Sequence, residues 1–286
     1  MVEVSASSLD IQAELSASKT IDGSLVVVSL KVPPALQGKG LIGNFEGAVF
    51  PVFPGSKKDP SLYQGLLGIP YDHKPGKTDI VIRVDQDCGK ETACPAGTFT
   101  AFKLPIEISE GNYPSEVLHV DNRRVVPPKE DLKRIHREQA EVKGIYAQVT
   151  PEKYWDGPFV YPIQSAVTSG FGTRRVYNGE LRNFHPGVDL RAPMRTPIHA
   201  AAGGIVVMAK NLFYTGNTVM LDHGYGLYTL YAHMSKITAK KGQKVAPGEL
   251  LGYSGKTGRV NGPHLHWQAV LNYVKVNPLD LIKVIQ

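Results

Sequence analysis

The chain has 286 residues, 42% of them hydrophobic and 20% charged, with a formal net charge of +6. That composition excludes a disordered or collagen-like polymer and leaves room for about two domains with buried cores. No apolar run reaches the roughly 20 residues needed to span a bilayer. The mild basic excess suits an anionic partner, nucleic acid included, or merely a solvated surface; the basic residues are scattered and no nucleic-acid-binding motif stands out.

Residues 1–126 read as a β-rich domain. The opening residues are acidic and polar, not a basic head on an apolar stretch. The protein is therefore either cytoplasmic or an exported form whose leader has been removed. Residues 25–32 are rich in β-branched side chains and stop at Pro33-Pro34. Residues 78–84 alternate, with Ile80, Ile82 and Val84 on one side and Val81 on the other. Residues 98–104 and 116–120 are further strands. Short strands broken by Pro and Gly predict a sandwich-like unit. It holds no catalytic constellation, since His73 and His119 each stand alone. Cys88 and Cys94 lie in a turn-rich polar stretch that lets their Cα atoms approach. A disulfide closing that small loop, suited to an oxidising compartment, is expected over two free thiols.

Pro127-Pro128 closes this region. Residues 129–143 form the one clear helix: strong helix formers, acids in the first turn, and Leu132, Ile135 and Val142 on a narrow stripe. Residues 127–150 are read as a helical connector with a solvated charged face. From 151 to 286 strands return at 188–191, 204–210, 217–222, 226–233 and 263–271. His223-Gly-Tyr-Gly226 marks a hairpin. Without alternating helices, this second domain is expected to be antiparallel and all β, making the chain mostly β.

The chemistry collects here. His264 and His266 are two apart in a strand, so both leave the same face while Leu265 and Trp267 enter a core. Two imidazoles side by side need a partner for their polar atoms, and a metal supplies one. His185 and Asp189 lie four apart, but Pro186 and Gly187 oppose a helix, so a tight loop entering strand 188–191 would have to aim both inward. His233 ends the strand 226–233 and would reach the site from a neighbouring strand. Four imidazoles and one carboxylate suffice for three zinc ligands, an open fourth position and two histidines for proton handling. His199 is read as packing, and His223 as bound to backbone. The zincin pattern H-E-x-x-H is absent, so a Glu beside the metal is not expected as the base.

The segment Ser169-Gly-Phe-Gly-Thr-Arg-Arg175, the H-x-x-x-D at His185, Tyr231-Ala-His-Met234 and Gly262-Pro-His-Leu-His-Trp267 resemble the lysostaphin or LytM-type zinc endopeptidases, which cut peptidoglycan cross-links. The likeness runs over about residues 158–281. It implies one Zn²⁺ per chain held by His185, Asp189 and His266, with His233 and His264 catalytic. It also implies peptidoglycan peptide stems as substrate and a periplasmic or extracellular location. A metal-activated water would attack the scissile amide while His233 or His264 handles the protons, and Tyr177 or Asn178 could donate to the oxyanion. The first 126 residues more loosely resemble the β-rich accessory region of some wall hydrolases, and a positioning or gating role is expected for them. Two departures stand out: Arg195 where a turn Gly is usual, and Gln268 where a Glu often follows the H-x-H aromatic residue. The rival readings are a catalytically silent, metal-stapled wall-binding or regulatory protein, and a carbohydrate-binding sandwich. A D-alanyl–diaminopimelate bond is the expected target, with a glycine bridge as the alternative.

Overall fold

The computed structural model describes residues 4–6, 10–56, 58–85, 99–118, 126–177 and 179–285. Cys88, Cys94, His119 and Asn178 lie outside the described residues, as does the side chain of Tyr177. The chain divides into two compact units, Met1–Gly111 and Asn112–Gln286. That division comes earlier than the expected boundary at 126. The helix expected as a separate connector over 127–150 lies inside the second unit.

The first unit contains β1 (Val4–Ala6), β2 (Ile11–Leu15), β3 (Lys19–Ile21), β4 (Leu25–Lys31), β5 (Leu41–Phe45), β6 (Ala48–Pro54), β7 (Leu62–Gly68), β8 (Gly76–Asp85) and β9 (Phe99–Ser109). They form one path of hydrogen-bonded strands, β1-β2-β4-β7-β6-β5-β8-β9-β3. β6 turns the corner: its first half pairs with β5 and its second half with β7. The two limbs so formed share one core, in which Val26, Val28 and Leu30 of β4 lie with Ile80, Ile82 and Val84 of β8 and Leu104 and Ile106 of β9. The alternation read in residues 78–84 is realised, because Ile80, Ile82 and Val84 are fully buried.

The second unit begins with β10 (Ser115–Leu118) and α1 (Lys129–Tyr146). Then come β11 (Val167–Ser169), β12 (Arg174–Tyr177), β13 (Glu180–Phe184), β14 (Val188–Arg191), β15 (Pro197–His199), β16 (Gly204–Leu212), β17 (Gly216–Gly224) and β18 (Leu227–Met234). It ends with β19 (Lys236–Ile237), β20 (Lys244–Val245), β21 (Leu250–Tyr253), β22 (His264–Leu271), β23 (Val274–Val276) and α2 (Pro278–Val284). The main sheet is antiparallel, in the order β11-β14-β22-β18-β17-β16-β20, with β23 added to β22. A small sheet β10-β12-β13 flanks it, and there β10 runs parallel to β12. The expected hairpin joins β17 to β18, with Tyr225 and Gly226 both at positive φ (50° and 79°), as a type I′ turn requires.

The helix α1 packs Val142, Ile145 and Tyr146 against Met208, Leu212, Met220, Leu230 and Ala232 of the sheet. Its face is not wholly solvated. Glu138 is buried, accepting from the Phe213 backbone N–H at 2.7 Å and from Arg134 Nε at 2.7 Å. The short α2 starts at Asn277, whose side chain accepts from the Leu279 N–H, and at Pro278 in the first turn. Asn at the cap and Pro at the first helical position are both favoured at a helix start.

His223 is fully buried beneath the hairpin, its Nδ1–H donating to the Gly203 carbonyl at 2.7 Å and its Nε2 accepting from the Thr229 hydroxyl at 2.7 Å. Burial pushes its pKa down from 6.5 to about 4. The unfolded chain takes up this proton first on acidification, so the stability is fully present above pH 6.5 and is lost as pH falls towards 4. We expect the second unit to lose about 3 kcal/mol from this group over that window. Chemical denaturation at stepped pH measures it, and His223→Gln should flatten the slope. An unchanged slope in the variant would remove this role.

Candidate metal centre

The site is assembled by the pairing of β14 with β22. Asp189 stands opposite His266, and Arg191 opposite His264. Because side chains alternate, one sheet face carries Asp189, Arg191, His264 and His266. The other face carries Val188, Leu190, Leu265 and Trp267, all completely buried. Residue 187 must be glycine for this approach: a Cβ there would lie 2.4 Å from the Trp267 carbonyl oxygen.

His185 precedes β14 and is clamped by backbone hydrogen bonds, its N–H to Thr173 and its carbonyl from Gly172, each 2.8 Å. Its Nδ1–H donates to the Gly170 carbonyl at 2.9 Å. That bond fixes the tautomer and leaves Nε2 with a lone pair. Nε2 lies 3.0 Å from Asp189 Oδ1 and 2.9 Å from His266 Nδ1, and His266 Nδ1 lies 2.9 Å from the same carboxylate oxygen. Three acceptor-bearing atoms thus meet in a tight triangle. One proton on His266 could serve only part of it, whereas a cation above the triangle serves all three atoms. Two imidazole nitrogens and a carboxylate oxygen suit Zn²⁺. A tetrahedral zinc with bonds of about 2.0–2.1 Å sets its ligands roughly 3.3 Å apart, so the triangle needs to open by only about 0.4 Å. His185, Asp189 and His266 are the one such group among the described residues.

The second oxygen of Asp189 is taken. Arg175 Nη2 donates to Oδ2 at 2.6 Å, and Arg175 Nε donates to Glu116 Oε1 at 2.7 Å. Glu116 arrives on β10, alongside β12. The guanidinium therefore orients Asp189 so that Oδ1 faces the histidines. Burial works to raise the Asp189 pKa. The favourable interaction of His185 and His266 with an ionised carboxylate outweighs it, holding Asp189 well below the usual range. Burial lowers His266, with Asp189 opposing.

His233 joins from β18. Strict alternation would put it on the face shared by Tyr231 and Trp267, since Ala232 is the residue opposite His266. Its φ of 62° breaks the alternation, and its ring centroid comes within 4.9 Å of that of His264 and 5.9 Å of that of His266. A non-glycine residue in this region carries strain of roughly 1–2 kcal/mol. His233 Nδ1–H donates to the Thr257 carbonyl at 2.8 Å, and His264 Nδ1–H donates to the Gly262 carbonyl at 2.9 Å. Each ring keeps Nε2 as an acceptor, and His264 Nε2 lies 3.6 Å from Asp189 Oδ1. Burial first, then the neighbouring His264 and His266, push His233 well below the ordinary histidine pKa. The cleft beside these rings has a volume of about 300 Å³ and is lined by Glu116, Arg175, Arg191, His233, Arg259 and His264, among others.

All five residues singled out in the sequence, His185, Asp189, His233, His264 and His266, therefore come together. His73 stands apart in the first unit, 3.1 Å from Glu46. His199 ends β15 and is not part of the triad, while His223 bonds backbone as expected. Arg195 takes a left-handed φ of 69°, so the turn keeps the conformation a glycine would supply. Two residues escape the sequence reading: Arg175, which holds Asp189, and Glu116, which holds Arg175. Arg175 was visible only as the last residue of the segment 169–175, and no spacing rule ties Glu116 to it.

The sequence profile described as peptidase family M23 matches residues 183–278. Over 122 residues the chain is 43% identical to peptidoglycan DD-endopeptidase ShyA of Vibrio cholerae, covering 42% of this chain and 28% of that one. It is 32% identical to the catalytic domain of the antimicrobial peptidase lysostaphin from Staphylococcus simulans, covering 42% of this chain and 92% of that one, with a TM-score of 0.38. Residues 183–278 carry a peptidase M23 domain. A crystal structure from Pseudomonas aeruginosa described under peptidase M23 has a TM-score of 0.67 and 28% identity, covering 92% of this chain and 94% of that one. The chain spans little more than a quarter of the length of ShyA. The M23 match covers β14 to β22, which bear Asp189, His264 and His266, and it begins two residues before His185.

Replacing Arg175 with Met frees Asp189 Oδ2 and unlocks the carboxylate. Zn²⁺ affinity, measured by competition with a chromophoric chelator, should weaken about 10–100-fold. Unaltered affinity would show that the guanidinium does not orient the ligand.

Proposed function

We propose that the protein is a zinc-dependent endopeptidase that hydrolyses peptide cross-links of bacterial peptidoglycan, with one Zn²⁺ per chain held by His185, Asp189 and His266. The observation that carries this reading is the triangle of Nε2, Oδ1 and Nδ1 atoms within 3.0 Å of one another, opening on a cleft that holds two further histidines. The names of relatives support the substrate, since ShyA is a peptidoglycan DD-endopeptidase. A zinc ion supplies Lewis acidity, polarising a carbonyl and acidifying water near neutral pH.

The chain's own residues do the rest. His233 and His264, each with Nδ1 tied to a backbone carbonyl, present Nε2 as a proton acceptor. One ring removes a proton from the attacking water, and a protonated ring delivers one to the leaving amine. The low pKa of His233 suits it to stay neutral at pH 7, while His264, more open to the cleft, is placed to exchange protons with substrate. Arg175 keeps Asp189 aimed. A silent, metal-stapled module would close its fourth position with a protein ligand. The metal-binding group among the described residues has three members, which favours the enzyme. From that substrate we infer a periplasmic or cell-surface location, and for the first unit a role in positioning on the wall or gating access.

Purified protein incubated with peptidoglycan should release new amine ends and split cross-linked muropeptides. Chelator should abolish this and Zn²⁺ restore it. His264→Ala should lower kcat about 10²–10⁴-fold while Zn²⁺ still binds. Intact muropeptides with a fully zinc-loaded protein would support the silent module instead.

A further inference from the structure

Arg191 is placed as no structural arginine needs to be. It sits on β14 directly across from His264, so the two Cβ atoms are about 4.5–5.5 Å apart on the face that bears Asp189 and His266. It is exposed and lines the same cleft. Its backbone is anchored, N–H to the Ala166 carbonyl at 2.9 Å and carbonyl from the Ser165 hydroxyl at 2.6 Å. Among the described residues no carboxylate pairs with its guanidinium. Arg175, by contrast, is committed to Glu116 and Asp189. Arg259 also lines the cleft, its guanidinium carbon 4.8 Å from the centre of the Tyr214 ring. The cleft therefore offers an unspent, planar, permanently charged donor beside a histidine that faces the triad. Guanidinium geometry matches a carboxylate with two parallel hydrogen bonds.

Resting on the peptidase reading above, we propose that Arg191 is a specificity-determining residue that binds a free α-carboxylate on the residue whose amine leaves. In such a substrate the carboxylate carbon is two bonds from the scissile nitrogen. A guanidinium next to the histidine that serves that nitrogen is within reach of it. The D-centre of diaminopimelate in a cross-link carries this carboxylate; a lysine side-chain amine does not, and an internal glycine of a bridge has its carboxyl in an amide bond. Arg191 thereby selects among cross-link chemistries, a choice the metal and the histidines cannot make.

The test uses the full chain and two synthetic cross-linked stem peptides that differ in one group: a free carboxylate or its primary amide on the residue supplying the scissile amine. The zinc-loaded wild type should cut the acid about 10–100-fold more efficiently, the range expected for one charge-assisted interaction. Arg191→Gln should erase that preference, chiefly by raising KM for the acid, with the amide changing less than about 3-fold; Arg191→Lys should recover part of it. Equal losses on both peptides, or a wild type indifferent to the carboxylate, would overturn the proposal. Calorimetric binding of both peptides to chelator-stripped protein separates the two ideas. If neither peptide is cut but Arg191→Gln weakens binding of the acid alone, the carboxylate site stands and the peptidase reading falls. If the stripped wild type binds acid and amide equally, the site falls whatever the cleavage result.

Discussion

Everything in the second unit answers to one constraint: a single oxygen, Asp189 Oδ1, lies within 3.0 Å of two imidazole nitrogens, and all three atoms carry lone pairs. Their close approach is favourable only with positive charge between them, a ring proton or a cation. It persists because the surroundings over-determine it. The Gly170 carbonyl fixes the tautomer of His185, Arg175 takes the other oxygen of Asp189, and the β14–β22 register sets His266 opposite the carboxylate. The apolar side of the same two strands, with Val188, Leu190, Leu265 and Trp267 fully buried, contributes the packing that holds the polar side in place. Structure here is organised to keep negative potential concentrated at one point, which is the electrostatic description of a cation site.

The same logic separates holding from reacting. His185 and His266 are buried and face the carboxylate. His233 and His264 are tethered through Nδ1 and leave Nε2 towards the cleft. The strained φ of His233 is the clearest sign that its position is dictated by the site and not by the strand. Backbone carbonyls orient three of the four rings, so the sheet and its loops, not other side chains, set the directions of the reactive nitrogens.

Much of this was legible in the sequence, and the reasons differ by residue. The H-x-H of β22 and the apolar residues between its histidines follow from a period of two, which needs no tertiary knowledge. The core face of β8 was readable for the same reason. The hairpin at Tyr225-Gly226 followed from its turn residues. What escaped was set by tertiary contact. Arg175 and Glu116 are 59 residues apart and meet because β10 adds in parallel to β12, a pairing across a long connection that local pattern does not encode. That pairing also explains why the second unit starts at Asn112 and not after Pro127-Pro128. Glu138 was read as part of a solvated face, yet it is buried because the Phe213 N–H needs an acceptor. The strand β7 was missed because Gly65 and Gly68 dilute its alternation, and α2 because its seven residues are too few to show a helical period.

The account stands or falls on what occupies the triangle. X-ray absorption at the zinc edge of the stoichiometrically loaded protein tests this most directly. The predicted spectrum has only nitrogen and oxygen donors, with two imidazole signatures and first-shell distances of about 2.0–2.1 Å, and one imidazole signature is lost in His266→Ala. A spectrum with fewer than two imidazoles, or one unaffected by that substitution, would show that the cation binds elsewhere and would contradict the account.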